Sequence, residues 1–243
     1  MQEKMSEQKL REILETAEVD VRNGTLFGVA EQKKPQESRL TLIISTGGSG
    51  KSSIQEALRI AEQKLTPDYK TYVKFIMIDS STNELEPYEK MGDFVKPLNL
   101  SLRGAVNRFK PENRTPFFKN IMPASYYAGK IDDHGAGKDR MTGRIKLYDK
   151  TTEDGNDIRL AKMIKDLFEK EWSAYKEKPV DIIILTGISG GNGSGTFLDL
   201  GVIARNACPN RDDVKVYAYI MLPDTVEDLA KTSEEKQTSY RNG

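Results

Sequence analysis

Two stretches of the chain combine residue types that can hold an anion. The first is Ser45, Thr46, Gly47, Gly48, Ser49, Gly50, Lys51 and Ser52; the second is Ser189, Gly190, Gly191, Asn192, Gly193, Ser194, Gly195 and Thr196. Glycine lets backbone N–H groups approach a phosphate closely, and a helix opening after such a loop adds the positive end of its dipole. The first stretch is close to the phosphate-binding pattern G-x-x-x-x-G-K-[ST], with Ser45 standing where the first glycine should be. The apolar run 75–79 ends in Asp79, which could supply the metal-holding acid that accompanies that pattern. A tight turn needs only a glycine or two. The second stretch is richer than that, and a P-loop fold has no use for it, so it argues for a second anion-facing loop.

Each stretch needs a strand before it and a helix after it. The β-branched run 40–45 precedes the first, and Ile54, Ala57, Leu58, Ala61 and Leu65 follow at helical spacing. The run 180–186, opened by Pro179, is apolar enough for burial on both faces; Phe197, Leu200, Gly201 and Ala204 then form a helical stripe. Further strands are expected at 72–79 and 214–222, with a helix running from Leu160 to about Lys176. Strands alternating with helices predict an α/β fold, a doubly wound, mainly parallel Rossmann-type sheet with helices on both faces. In such a sheet both glycine loops lie at the carboxyl ends of strands and face one crevice. Pro87, Pro97, Pro111, Pro116 and Pro123 break up 84–152, which reads as loops with short helices. Ahead of the domain, Leu10, Ile13, Leu14 and Ala17 predict an amphipathic helix, and 18–39 is a polar connection. The expected division is therefore an N-terminal helix and connecting segment at 1–38 and a ligand-binding domain at 39–243.

At this point the sequence resembles a known family. The run 189–196 is similar to the tubulin/FtsZ signature G-G-G-T-G-[ST]-G, with Ser189 in the first glycine's place or just before it and Asn192 in place of threonine. Lys51 in the first loop is matched better by the divergent bacterial tubulin-like proteins than by eukaryotic tubulin. The resemblance covers about 40–243 and implies a GTP-binding domain that takes GTP or GDP with Mg2+. It implies that both glycine loops wrap the phosphates and that Asp79 lies near phosphates and metal. Gly135, Ala136 and Gly137 look like the loop that senses the terminal phosphate, with Lys138, Arg140 and Arg144 adding positive charge beside it. Pro223, Glu227 and Lys231 resemble P-x-x-x-E-x-x-x-R, in which the acid bonds the ribose; Lys231 departs from arginine. Asn242 resembles the asparagine that meets the base. The family's catalytic acids lie on a loop beyond the central helix, so the resemblance also implies a larger, filament-forming cytoskeletal GTPase. This chain is then its nucleotide-binding part, with a C-terminal activation domain absent and an insertion at about 84–133. Hydrolysis would need an acid from outside this chain.

Composition narrows the alternatives. Lys and Arg number 37, as do Asp and Glu, so no global field favours nucleic acid. The apolar runs are too short to span a bilayer, and the opening Met1-Gln2-Glu3-Lys4 has no apolar signal core. One cysteine excludes an intrachain disulfide framework, and one histidine disfavours a histidine-rich metal site or a Ser-His-Asp triad. The expected setting is cytoplasmic. Two other readings stay open: a P-loop ATPase or kinase using Lys51 on the terminal phosphates and Asp79 on Mg2+, and a non-polymerising, nucleotide-responsive interaction module. Cys208 reads as structural, His134 as a solvated loop residue, and Phe117, Phe118, Tyr126 and Tyr127 as a satellite core.

Overall fold

The structure, a computed structural model, describes residues 39–102, 109–123, 126, 135–136, 139–150, 158–209, 211–224 and 232–242. The N-terminal helix and connection expected at 1–38 lie outside the described residues. In chain order the main elements are β1 (Leu40–Thr46), α1 (Gly47–Lys64), α2 (Tyr69–Tyr72), β2 (Val73–Asp79), α3 (Thr82–Glu89), β3 (Val95–Asn99) and α4 (Pro116–Ile121). They continue with α5 (Arg140–Asp149), α6 (Arg159–Lys170), β4 (Val180–Gly187), α7 (Gly191–Ala207), β5 (Val214–Met221) and α8 (Ser233–Asn242).

The strands form one parallel sheet in the order β3-β2-β1-β4-β5. Strand order reverses between β1 and β4, which pair from Leu40 opposite Val180 to Thr46 opposite Thr186. Alternation along the strands sorts side chains between two cores. Leu40, Leu42 and Ile44 of β1 and Ile182 and Ile184 of β4 join Leu160, Ile164, Leu167 and Phe168 of α6 and Leu200, Ile203 and Ala204 of α7 on one face. Phe75 and Met77 of β2 join Ile54, Leu58 and Ala61 of α1 and Leu85 and Tyr88 of α3 on the other. Helices therefore cover both faces, as the alternating pattern predicts. β5 is exposed along most of its length, including Val216, Tyr217, Tyr219 and Ile220.

Two expectations change. Within 84–152, expected to be loops with short helices, β3 joins the sheet as a strand and α3 packs on the sheet through Leu85 and Tyr88. β3 pairs with β2 through Phe75 opposite Val95 and Asp79 opposite Asn99. Pro97 fits because β3 is an edge strand, where a missing N–H need not cost a ladder hydrogen bond. The helix expected to reach about Lys176 stops at Lys170. Trp172 turns into the core there, fully buried, and its indole N–H donates to the Thr71 carbonyl at 2.7 Å. Beyond β3, Leu102, Phe109, Met122 and Ile145 make a small third core, packed by Phe118 and Tyr126. Phe118 and Tyr126 take the satellite role the aromatic residues suggested, Phe117 is exposed, and Tyr127 lies outside the described residues.

Candidate functional site

A cleft of about 290 Å³ opens at the carboxyl ends of β1, β2 and β4, beside the point where strand order reverses and where open α/β sheets take their ligands. Thr46, Gly47, Gly48 and Ser49 form one wall; Gly187, Gly190, Gly191, Asn192 and Gly193 form another. Asp79, Ser80, Ser81 and Glu84 line it from the β2 end, and Gly135 and Ala136 complete it.

The two glycine loops are the first turns of helices. α1 begins at Gly47 and α7 at Gly191, neither N-cap side chain bonds the helix, and neither first turn holds an acid. Free N–H groups and two positive dipole ends therefore converge on one cleft, an arrangement suited to a polyanion. Gly47 has φ +73°, which a side chain rarely adopts, and a Cβ there would meet the Gly193 nitrogen at 3.4 Å. The loops thus touch at Gly47 and Gly193. Ser45, the departure from glycine, is a strand residue, fully buried, whose hydroxyl donates to the Met77 sulfur at 2.9 Å. The loop proper starts two residues later, so serine is tolerated at 45.

The glycines of the second loop divide into two kinds. A Cβ on Gly190 would meet nothing within 4 Å, as on Gly48. On Gly191 it would lie 2.7 Å from the Asp139 nitrogen and 2.8 Å from the Ala136 Cβ; on Gly193, 2.5 Å from the Thr186 hydroxyl; on Gly195, 3.0 Å from the Arg144 nitrogen. Gly143, on α5, would carry a Cβ 3.0 Å from the Asn192 Cα. Gly143, Gly191 and Gly195 thus let α5 lie against α7, whereas Gly193 seats α7 on the end of β4. The sequence reading assigned all four loop glycines to anion approach and passed over Gly143, whose packing role depends on which helix lies opposite.

Polar side chains bind the loops together. Asn192 donates from Nδ2 to the Ser80 hydroxyl at 2.8 Å and to Asp79 Oδ1 at 3.5 Å. Asp79 is 6% exposed and also accepts from the Ser81 N–H at 2.8 Å. Burial raises its carboxyl above the ordinary aspartate value, outweighing that hydrogen bond. Asn192 Oδ1 is buried without a hydrogen-bond partner. Asp79, Asn192 Oδ1 and Glu84 offer hard oxygens of the kind Mg2+ prefers, with one or two carboxylates left to share the ion with phosphate. Among the described residues no cluster of three or more His, Cys, Asp or Glu could hold a metal unaided. The residues present therefore fit an ion that arrives with its phosphates.

Other candidates sit at the cleft's margin. Lys51 is ion-paired with Glu84, and that hydrogen bond raises its ammonium above the usual lysine range. Ser52 lies beyond it with its hydroxyl 3.5 Å from the Gly48 carbonyl, and Gly50 packs under Leu185, where a Cβ would fall 2.8 Å from the carbonyl oxygen. Ser194 bonds the Gly190 carbonyl at 2.5 Å; Thr196, fully buried, donates to the Asn192 carbonyl at 2.6 Å and sits 3.3 Å from the Thr46 hydroxyl. Ser189 is buried just ahead of them. These residues shape the turn from behind. Arg144, expected to add positive charge, instead grips Asp199 of α7 at 2.7 and 3.1 Å, and Arg140 reaches the Arg241 carbonyl of α8 at 3.3 Å. Gly137, Lys138, Glu227 and Lys231 lie outside the described residues, and Asn242 is placed only as the end of α8. The sequence carries no signal that singles out Ser80, Ser81, Glu84 or Gly187, which also line the cleft.

A family model described as tubulin-like matches residues 121–243. Among solved structures, CetZ2 from Haloferax volcanii, in a GTPγS-bound protofilament, is similar at 14% identity and a TM-score of 0.46, over 83% of this chain and 55% of that one. TubZ from Bacillus thuringiensis serovar israelensis, in a GTPγS-form protofilament, is similar at 13% identity and a TM-score of 0.30, over 85% of this chain and 41% of that one. The chain spans about half or less of the length of these two proteins. No curated protein matches.

Proposed function

This chain belongs to the tubulin-like family, and on that premise we propose that it is the GTP-binding part of a larger, filament-forming cytoskeletal GTPase. One observation carries the reading: two uncapped, acid-free helix N-termini, α1 and α7, converge on a single cleft where strand order reverses. In it, N–H groups around Gly47, Gly48 and Ser49 and around Gly190, Gly191 and Asn192 hold the phosphates from two sides. Asp79 would hold Mg2+ arriving with the nucleotide, and the ion would supply positive charge against the phosphates. Fixed backbone dipoles, needing no covalent nucleophile, then face the charge that develops as the terminal phosphate leaves. The preference for guanine, with Glu227 and Lys231 on the ribose side and Asn242 at the base, follows from family resemblance. So does the need for a catalytic acid from the next subunit of a filament, a heterologous contact that propagates instead of closing. Among the described residues no helix is long and apolar enough to cross a membrane, and the proposed setting is the cytoplasm.

The P-loop reading is weakened by Lys51. A lysine serving terminal phosphates should lie free in the cleft, and here it is committed to Glu84 on α3. Calorimetric titration of the folded protein with GTP, GDP and ATP in the presence of Mg2+ tests the proposal. Heat with GTP and GDP, and little with ATP, is expected. Binding of ATP alone would transfer the chain to the P-loop reading, and no heat with any of them would overturn nucleotide binding altogether.

A further inference from the structure

Gly135 and Ala136 form the one wall of the cleft that no described strand end supplies, so something else must hold them. On one side the Asp139 N–H donates to the Ala136 carbonyl at 2.7 Å. Asp139 is itself fixed as the N-cap of α5: its carboxylate accepts from the Thr142 N–H at 2.8 Å and from the Tyr126 hydroxyl at 3.2 Å. On the other side the Gly135 carbonyl accepts a hydrogen bond from Lys146 Nζ at 2.6 Å. Lys146 is fully buried, an unusual place for a lysine unless its ammonium has a specific task.

The route of this side chain follows from helix geometry. Side chains on a helix lean toward its N-terminus, so a long side chain at 146 reaches back past Thr142 to the segment just before the helix. α5 in turn is set against α7 by Gly143, Gly191 and Gly195, where added Cβ atoms would strike the facing backbone. The Arg144 fork on Asp199 fixes the same contact. Lys146 therefore references the Gly135 wall to the helix whose N-terminus forms the opposite wall.

We propose that Lys146 is a positioning residue of the nucleotide cleft: through the Gly135 carbonyl it sets the distance between the 135–136 wall and the N-terminus of α7, and it places a positive charge behind that wall. The proposal rests on the reading of the cleft as a nucleotide site. It concerns a buried residue on the helix face turned away from solvent.

The test uses the full chain with Lys146→Met, which keeps an unbranched side chain and removes the donor and the charge, and Lys146→Arg, which restores both. Lys146→Leu, which also lacks a donor and a charge, serves in the same role should the methionine variant fail to fold. Amide hydrogen exchange of 135–139 without ligand is measured first. It should quicken in Lys146→Met relative to the amides of α7 and recover in Lys146→Arg. GTP and GDP affinities, measured well below each variant's melting temperature, should fall by about tenfold in Lys146→Met, the loss of one charge-assisted hydrogen bond, and return at least in part in Lys146→Arg. A core truncation remote from the cleft, Leu160→Ala on α6, should lower the melting temperature and leave affinity unchanged. If Lys146→Met melts earlier but exchanges and binds like the parent, the lysine is structural only and the proposal is overturned. Failure of the unsubstituted protein to bind any nucleotide would refute the function proposed above, whereas the ligand-free exchange measurement still decides whether Lys146 holds this wall.

Discussion

The substitution Gly191→Ala sets two familiar effects against each other, and the structure decides which wins. Gly191 is the first residue of α7, and its φ is not in the left-handed region, so backbone strain plays no part. Replacing a helical glycine with alanine stabilises by at most about 1 kcal/mol. Against that, the new methyl lies 2.7 Å from both the nitrogen and the oxygen of Asp139 and 2.8 Å from the Ala136 Cβ. Ordinary contact begins near 3.4 Å, so the α5 side must retreat by about 0.7 Å. Two of the three obstructing atoms are backbone atoms and cannot swing aside. Overpacking costs about 1–3 kcal/mol, and two unyielding backbone contacts put this site in the upper part, about 2–3, so the net loss is about 1–2 kcal/mol once about 1 of propensity is credited. For a chain of this size each kcal/mol lowers Tm by about 2–4 °C, so Gly191→Ala should melt roughly 2–8 °C below the parent. Gly190→Ala is the matched control. Its φ is −99° and its Cβ meets nothing within 4 Å, so Tm should move by less than about 1 °C. Circular-dichroism melts of the three proteins, supported by urea titrations at constant m-value, make the comparison. A Gly191→Ala protein melting at or above the parent would show that α5 and α7 do not meet as closely as described, and the packing account of the second glycine loop would fall with it.

Three further expectations can be checked cheaply. Lys51→Ala should weaken GTP binding no more than a few-fold, whereas Gly193→Val, which forces a branched side chain against Thr186, should abolish it; titration calorimetry of both separates the family reading from the P-loop one. Asp79 has its folded pKa raised by burial, so the native state binds its proton more tightly than the unfolded chain. Its contribution is therefore present below the unfolded value of about 3.9 and lost as pH rises through the raised one. Asp79→Asn should thus gain stability over the parent at pH 7, with the gap closing below about pH 4, and urea midpoints across that range that run parallel would contradict it. Burial pushes the Cys208 thiol up to about 12, and its Sγ sits 3.3 Å from the Ala204 carbonyl, so a thiol reagent at neutral pH should label the denatured chain and spare the native one.

What the sequence determined by itself is local. β-Branched runs, glycine clusters and helical stripes act within a few residues, and they placed β1, β2, β4 and β5 to within a residue or so at each end and located the two glycine-rich turns between strand and helix. The parallel α/β class followed, because strands alternating with helices have few ways to pack. What the tertiary structure alone decided concerns partners far apart in the chain. Pro97 reads as a breaker until β3 is seen at the sheet edge. Gly191 and Gly195 show their packing role only once α5 is seen lying on them. The Lys51 ion pair is visible only once Glu84 is seen beside it, and Lys146 carries no signal at all until the helix geometry brings it to Gly135. The Asn192 amide reaches Ser80 across 112 positions of sequence. No local pattern encodes such a contact, because its free energy depends on where the sheet and its helices bring the two groups, and that is settled only when the whole core packs.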